Sequence, residues 1–206
     1  MLTKAKSRFF LVLLIALSVV FTWSAISPHD RLTWWLEVFP VLIALPVLIF
    51  TYSKLEFTRL VYVLILAHAI ILLIGGHYTY AEVPPFNWLR DTFDLSRNYY
   101  DRVGHFVQGF VPAMIAREIL LKKSPLVPGC WVFFIVACIC LSVSACYEFI
   151  EWWVAVISGT GADAFLGTQG DVWDTQWDMF IALLGAIIAQ LSLARQQDKQ
   201  MGKMRT

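Results

Sequence analysis

The chain has 206 residues, of which 59% are hydrophobic and 15% charged, with a formal net charge of +1. Soluble domains carry about 25% charged residues, so this composition excludes an ordinary soluble protein and points to a polytopic membrane protein. The near-zero net charge gives no argument for nucleic-acid binding.

Taken in order, six apolar stretches predict six transmembrane helices, about 9–26, 34–52, 58–76, 103–121, 127–157 and 176–194. Each is expected to be a helix because a lipid-exposed strand leaves backbone groups unpaired. The first follows a basic start, runs past signal-peptide length and lacks a small-residue cleavage site, so it reads as a retained helix. The fifth exceeds the roughly 20 residues that cross a bilayer, so it must tilt, kink or project. The four cysteines, Cys130, Cys138, Cys140 and Cys146, all fall in that fifth stretch without CxxC spacing. They read as small packing residues rather than a disulfide or zinc framework. No repeat is visible, and 1–206 reads as a single membrane domain.

Lys and Arg set the expected sidedness. Lys4, Lys6, Arg8, Lys54, Arg59, Arg117, Lys122, Lys123, Arg195, Lys199, Lys203 and Arg205 fall on one side. These are twelve of the 16 basic residues, and the positive-inside rule places both termini in the cytoplasm. Only Glu56, Glu118 and Asp198 of the 15 acids share that side. Acids gather at the outer face together with the two long connections, about 77–102 and 158–175. Pro84–Pro85 reads as a helix breaker within the first of these, which is expected to carry a short amphipathic segment on the outer interface.

The outer ends of the last three spans carry the chemistry-bearing residues. Asp101, His105 and Gln108 recur at offsets of four and seven, and so share one helical stripe. Glu148 and Glu151 are three apart on another helix. Asp171, Asp174 and Asp178 are expected to open the last helix, with Gly167, Gly170 and Gln190 flanking the set. A charge facing lipid costs about 2.5–3.5 kcal/mol at mid-membrane, so these groups are expected to face one shared polar pocket. Crowded carboxylates also need shared protons or a counter-cation. The candidates are Arg97, Arg102, a protonated His105 or a bound divalent metal.

Bland readings accompany these. Asp171 and Asp174 suit a helix start, and His105 suits a packing histidine. His68, mid-span, is expected to hydrogen-bond a neighbouring helix. Trp152, Trp153, Trp173 and Trp177 read as interfacial anchors.

The segments YDRVGHFVQGFVPAMIARE, SACYEFIEWW and GTQGDVWDTQWDMFIALLGA resemble the YjdF-like family of bacterial inner-membrane proteins. The resemblance implies multi-pass insertion in the inner membrane and implies no reaction. A looser likeness is to VanZ-like membrane proteins, on His105 in GHF, Glu148 or Glu151, and Asp178 with Gly185. It implies a role in the cell envelope, although this chain has extra acids and a longer N-terminal part.

Three readings follow. The first is a membrane enzyme acting on a lipid or lipid-linked envelope substrate. His105, Glu148 and Glu151 are its candidate catalytic acid and base. Asp101, Gln108, Asp171, Asp174 and Asp178 line its substrate pocket, and Asp171, Asp174, Asp178 and His105 are candidate ligands of a divalent metal. The second is a non-enzymatic membrane partner or regulatory subunit. The third is a cation-coupled transporter, which the absence of charged residues continuing through the cytoplasmic halves disfavours.

Overall fold

The computed structural model describes residues 4–158 and 163–205. Among them the chain is all-helical: α1 (Lys4–Ala25), α2 (Arg31–Thr51), α3 (Arg59–Tyr78), a 3-10 turn (Tyr80–Glu82), α4 (Pro84–Phe93), α5 (Tyr100–Lys123), α6 (Cys130–Ser158), the short α7 (Asp163–Leu166) and α8 (Asp174–Arg205). Five helices, α1, α2, α3, α6 and α8, are long and apolar enough to cross a membrane. The fourth expected span, 103–121, corresponds to α5, whose length suits a bilayer but whose polar content sets it apart. It holds Asp101, Arg102, His105, Arg117 and Glu118, all buried.

That burial reflects the position of α5 in the bundle, where it packs against α8, α6 and α3. Its closest approach is to α8. A Cβ on Gly109 would lie 1.7 Å from the Ala182 carbonyl oxygen, and one on Gly185 would lie 2.1 Å from that of Phe106. Ala182, Ala186 and Ala189 are fully buried along the same seam. Small residues let the two backbones touch where lipid offers no hydrophobic drive.

Local chemistry accounts for the helix boundaries. The Asp30 carboxylate caps α2 by accepting from the Thr33 amide at 2.7 Å. That bond holds its carboxyl below the usual range. Pro84 and Pro85 open α4 rather than breaking a helix, since proline in the first turn gives up no intrahelical bond. Helix α4 ends at Asp94 in the left-handed region, with Trp88 and Phe93 exposed. Thus the expected short segment in the 77–102 connection is a defined helix.

Helix α8 continues well past the expected end at 194. Its polar extension is held at the far end of the bundle from Asp101. There Arg117 donates to Asp198 at 2.8 and 3.0 Å and to Gln197 at 2.9 Å. Glu118 accepts from the Thr58 amide at 2.7 Å and hydroxyl at 2.8 Å and from Lys122 at 2.7 Å. Arg117, which the sequence suggests is a free topological charge, is a buried structural one.

Candidate functional site

At the opposite end, the starts of α5 and α8 and the last turns of α6 bring together a buried cluster of charged groups, here called the chamber. Two arginines organise it. Arg97, in the α4–α5 connection, pairs with Asp174, with Asp101 at 3.2 Å and with Asp171 at 3.6 Å, and donates to the Gly167 carbonyl at 3.0 Å. Arg102 pairs with Asp178, with Asp174 at 2.6 Å, Asp171 at 3.2 Å and Asp101 at 3.3 Å. All but Asp171 are buried. Guanidinium forks suit this multi-carboxylate role better than a point-charge lysine.

The loop carrying Arg97 is fixed by its neighbour. Fully buried Asn98 donates to the Val83 carbonyl at 3.1 Å and to Asn87 at 2.8 Å, and accepts from the Tyr100 amide at 3.0 Å. Its backbone exchanges two bonds with the Gln169 side chain, at 2.8 and 2.9 Å. Tyr80 fills the space left by Gly75 and Gly104, where a Cβ would lie 2.3 and 2.6 Å from its ring. Burial pushes its hydroxyl above the usual phenol range, so it stays neutral beside the acids.

His105 stands at the inner wall of the chamber. Its Nε2 lies 3.4 Å from Asp101 and 3.6 Å from Asp178. Its Nδ1 faces Glu148 Oε1 at 3.9 Å. Both of those facing atoms are buried and have no hydrogen-bond partner. The ring therefore joins two acidic groups, Asp101 with Asp178 and Glu148 with Glu151, each within 4.8 Å of a ring nitrogen.

The structure thus brings together Asp101, His105, Glu148, Glu151, Asp171, Asp174 and Asp178. It departs from the sequence expectation at three flanking positions. Asp171 precedes α8, where its carboxylate accepts from the Trp173 amide at 2.9 Å while facing both arginines. Gln108 is half-buried and makes no hydrogen bond among the described residues. Gln190 lies four turns below the start of α8, bonding the Phe133 and Ala186 carbonyls. His68 likewise makes no hydrogen bond among the described residues, contrary to its expected role as an interhelical donor. Residues 159–162 of the expected second long connection lie outside the described residues.

One acid was missed. Glu37 of α2 is buried and accepts from the Tyr147 hydroxyl at 3.5 Å. The Tyr147 ring in turn lies edge-on to His105, with centroids 6.5 Å apart. A lone acid in the apolar run WWLEVFP was the available signal, since such a residue seeks partners inside a bundle.

Comparison with known proteins agrees with the segments that carry the family resemblance. The chain is 50% identical over 187 residues to "Inner membrane protein YjdF" of Escherichia coli (strain K12), covering 91% of this chain and 90% of that protein. No solved structure matches the chain, and the comparisons give no support to the VanZ-like likeness. The family model described as "Predicted membrane protein (DUF2238)" matches residues 9–199, so the chain belongs to that family of multi-pass membrane proteins.

Proposed function

We propose that this protein is an inner-membrane enzyme whose charged chamber opens at the outer leaflet and acts on the head group of an amphiphile, a lipid or lipid-linked envelope precursor. Both termini and the Arg117 network are cytoplasmic, and α5 is the sixth spanning helix, shielded from lipid by its neighbours. One observation carries the substrate class. An open apolar face of α6 runs past Phe134, Cys138, Ser142 and Cys146 to Tyr147 and Ile150. At 1.5 Å per residue this path is about 24 Å long. It passes Tyr147, the residue that touches Glu37 and flanks His105. A hydrocarbon chain lying along this face would bring its head group level with the acids.

In this reading Arg97 and Arg102 hold the aspartates in place, and His105 with Glu148 or Glu151 moves the proton. Proton transfer by a positioned side chain contributes about 10²–10⁴-fold. The His105→Ala and Glu148→Gln proteins should therefore accumulate to wild-type levels in the membrane yet fail to reverse the envelope lipid changes of a deletion strain, measured by lipid mass spectrometry. Full reversal by both variants would overturn the enzyme reading.

A further inference from the structure

The positive charge of the chamber is spent on one side. Arg97 and Arg102 engage Asp101, Asp171, Asp174 and Asp178, and neither reaches Glu148 or Glu151. On that second side stand two carboxylates and an imidazole whose donor atoms lie within 4.8 Å of one another. His105 Nδ1 and Glu148 Oε1 are buried and unpartnered, on residues only 6% exposed. Buried polar atoms left without partners carry a cost of about 1–3 kcal/mol each, more where charged, so such a pair facing each other calls for an occupant.

We infer that His105 Nδ1, Glu148 and Glu151 bind a divalent cation, of the Zn²⁺ or Mn²⁺ class. Tetrahedral ligand bonds of about 2.0–2.2 Å hold donor atoms about 3.3–3.6 Å apart, so the 3.9 Å between Nδ1 and Oε1 need close by only a few tenths of an ångström to hold an ion. The opposite ring nitrogen supports this orientation. Nε2 faces Asp101 and Asp178 at 3.4 and 3.6 Å, and a carboxylate behind a ligating histidine fixes its tautomer and raises its basicity. One imidazole with two carboxylates favours Zn²⁺ or Mn²⁺ over Mg²⁺ and Ca²⁺, which prefer oxygen alone. Three protein ligands leave a coordination position open for water or a substrate oxygen. The ligand set differs from the one expected from sequence, because Asp171 and Asp174 are committed to the arginines.

The inference deepens the enzyme reading of the same chamber, with His105 and the two glutamates holding the cation and a water at its open position taking over the proton transfer assigned to them above, and the test separates the two. The full-length protein, purified in detergent with its affinity tag removed, is equilibrated with Zn²⁺ or Mn²⁺, desalted and assayed by elemental mass spectrometry. The wild type is expected to retain about one equivalent. Glu148→Gln and Glu151→Gln should each bind about tenfold or more weakly, while Asp171→Asn, on the arginine side, retains the metal. Thermal melting checks that each variant is folded. Absence of metal in the folded wild type, or equal retention in both glutamate variants, overturns the site. Were metal absent while His105→Ala still lost function in cells, the metal inference would fall and the enzyme reading would stand.

Discussion

Replacing Arg102 with methionine is expected to cost the protein most of its folded population. Arg102 is buried and faces Asp101, Asp171, Asp174 and Asp178. Removing one partner of a buried ion pair leaves an uncompensated charge and costs about 3–5 kcal/mol, a large share of the about 5–15 kcal/mol typical of a folded domain. Arg102→Lys should recover little of this, because an ammonium cannot reproduce the fork that spans Asp174 and Asp178. The added change Asp178→Asn should restore part of the loss by removing one orphaned charge. Membrane yield and melting temperature in detergent check these outcomes. An Arg102→Met protein melting like the wild type would show that the carboxylates do not depend on this guanidinium.

The second large effect concerns packing. Gly109→Ala places a methyl group against the Ala182 backbone of α8, which has no flexible end to move aside. Helices α5 and α8 must then separate, and overpacking of this kind costs about 1–3 kcal/mol. Gly185→Ala meets the reciprocal contact with Phe106 and should behave alike. Gly202 supplies the control. A Cβ there meets nothing within 4 Å, and the position lies within α8. There alanine should be neutral or stabilise by up to about 1 kcal/mol through helix propensity. Equal melting temperatures for Gly109→Ala and Gly202→Ala would contradict the close helix contact. The chamber would suffer with the seam, since Arg102 and His105 project from α5 while Asp174 and Asp178 project from α8.

How much of this was legible in the sequence follows from the range of each interaction. Helical periodicity placed Asp101 with His105 and Glu148 with Glu151, because a stripe at offsets of three, four or seven is a local property. The cost of charge in lipid then turned those stripes toward each other. Periodicity carried too far at the start of α8. It counted Asp171 as helical although its side chain accepts a bond from Trp173 within a turn. Gln190, expected only to flank the set, lies four turns away in the middle of the helix. Which carboxylates receive an arginine is decided by tertiary packing, so the division into an arginine side and a histidine–glutamate side was invisible. Glu37 stands out in sequence only as a lone acid in an apolar run, and its place beside the site depends on Tyr147 from a helix about 110 positions later. Basic residues near helix ends also read alike in sequence, yet Arg117 is buried beside Asp198.

The tryptophans fit the same picture. Trp152, Trp153, Trp173 and Trp177 are all exposed around the chamber end of the bundle. An aromatic girdle of this kind marks a membrane–water boundary. On the proposed function, it would set the buried acids at the depth of an amphiphile's head group.

An outer-leaflet function requires the charged cluster to lie at the outer surface, and sidedness tests that most directly. In a protein with its four native cysteines replaced by alanine, Ser96→Cys probes the exposed approach to Arg97. Ser53→Cys probes the exposed turn after α2. A membrane-impermeant maleimide applied to intact spheroplasts is expected to label the Ser96→Cys protein, and to reach the Ser53→Cys protein only after permeabilisation. The reverse pattern would place the chamber in the cytoplasm and contradict an outer-leaflet function.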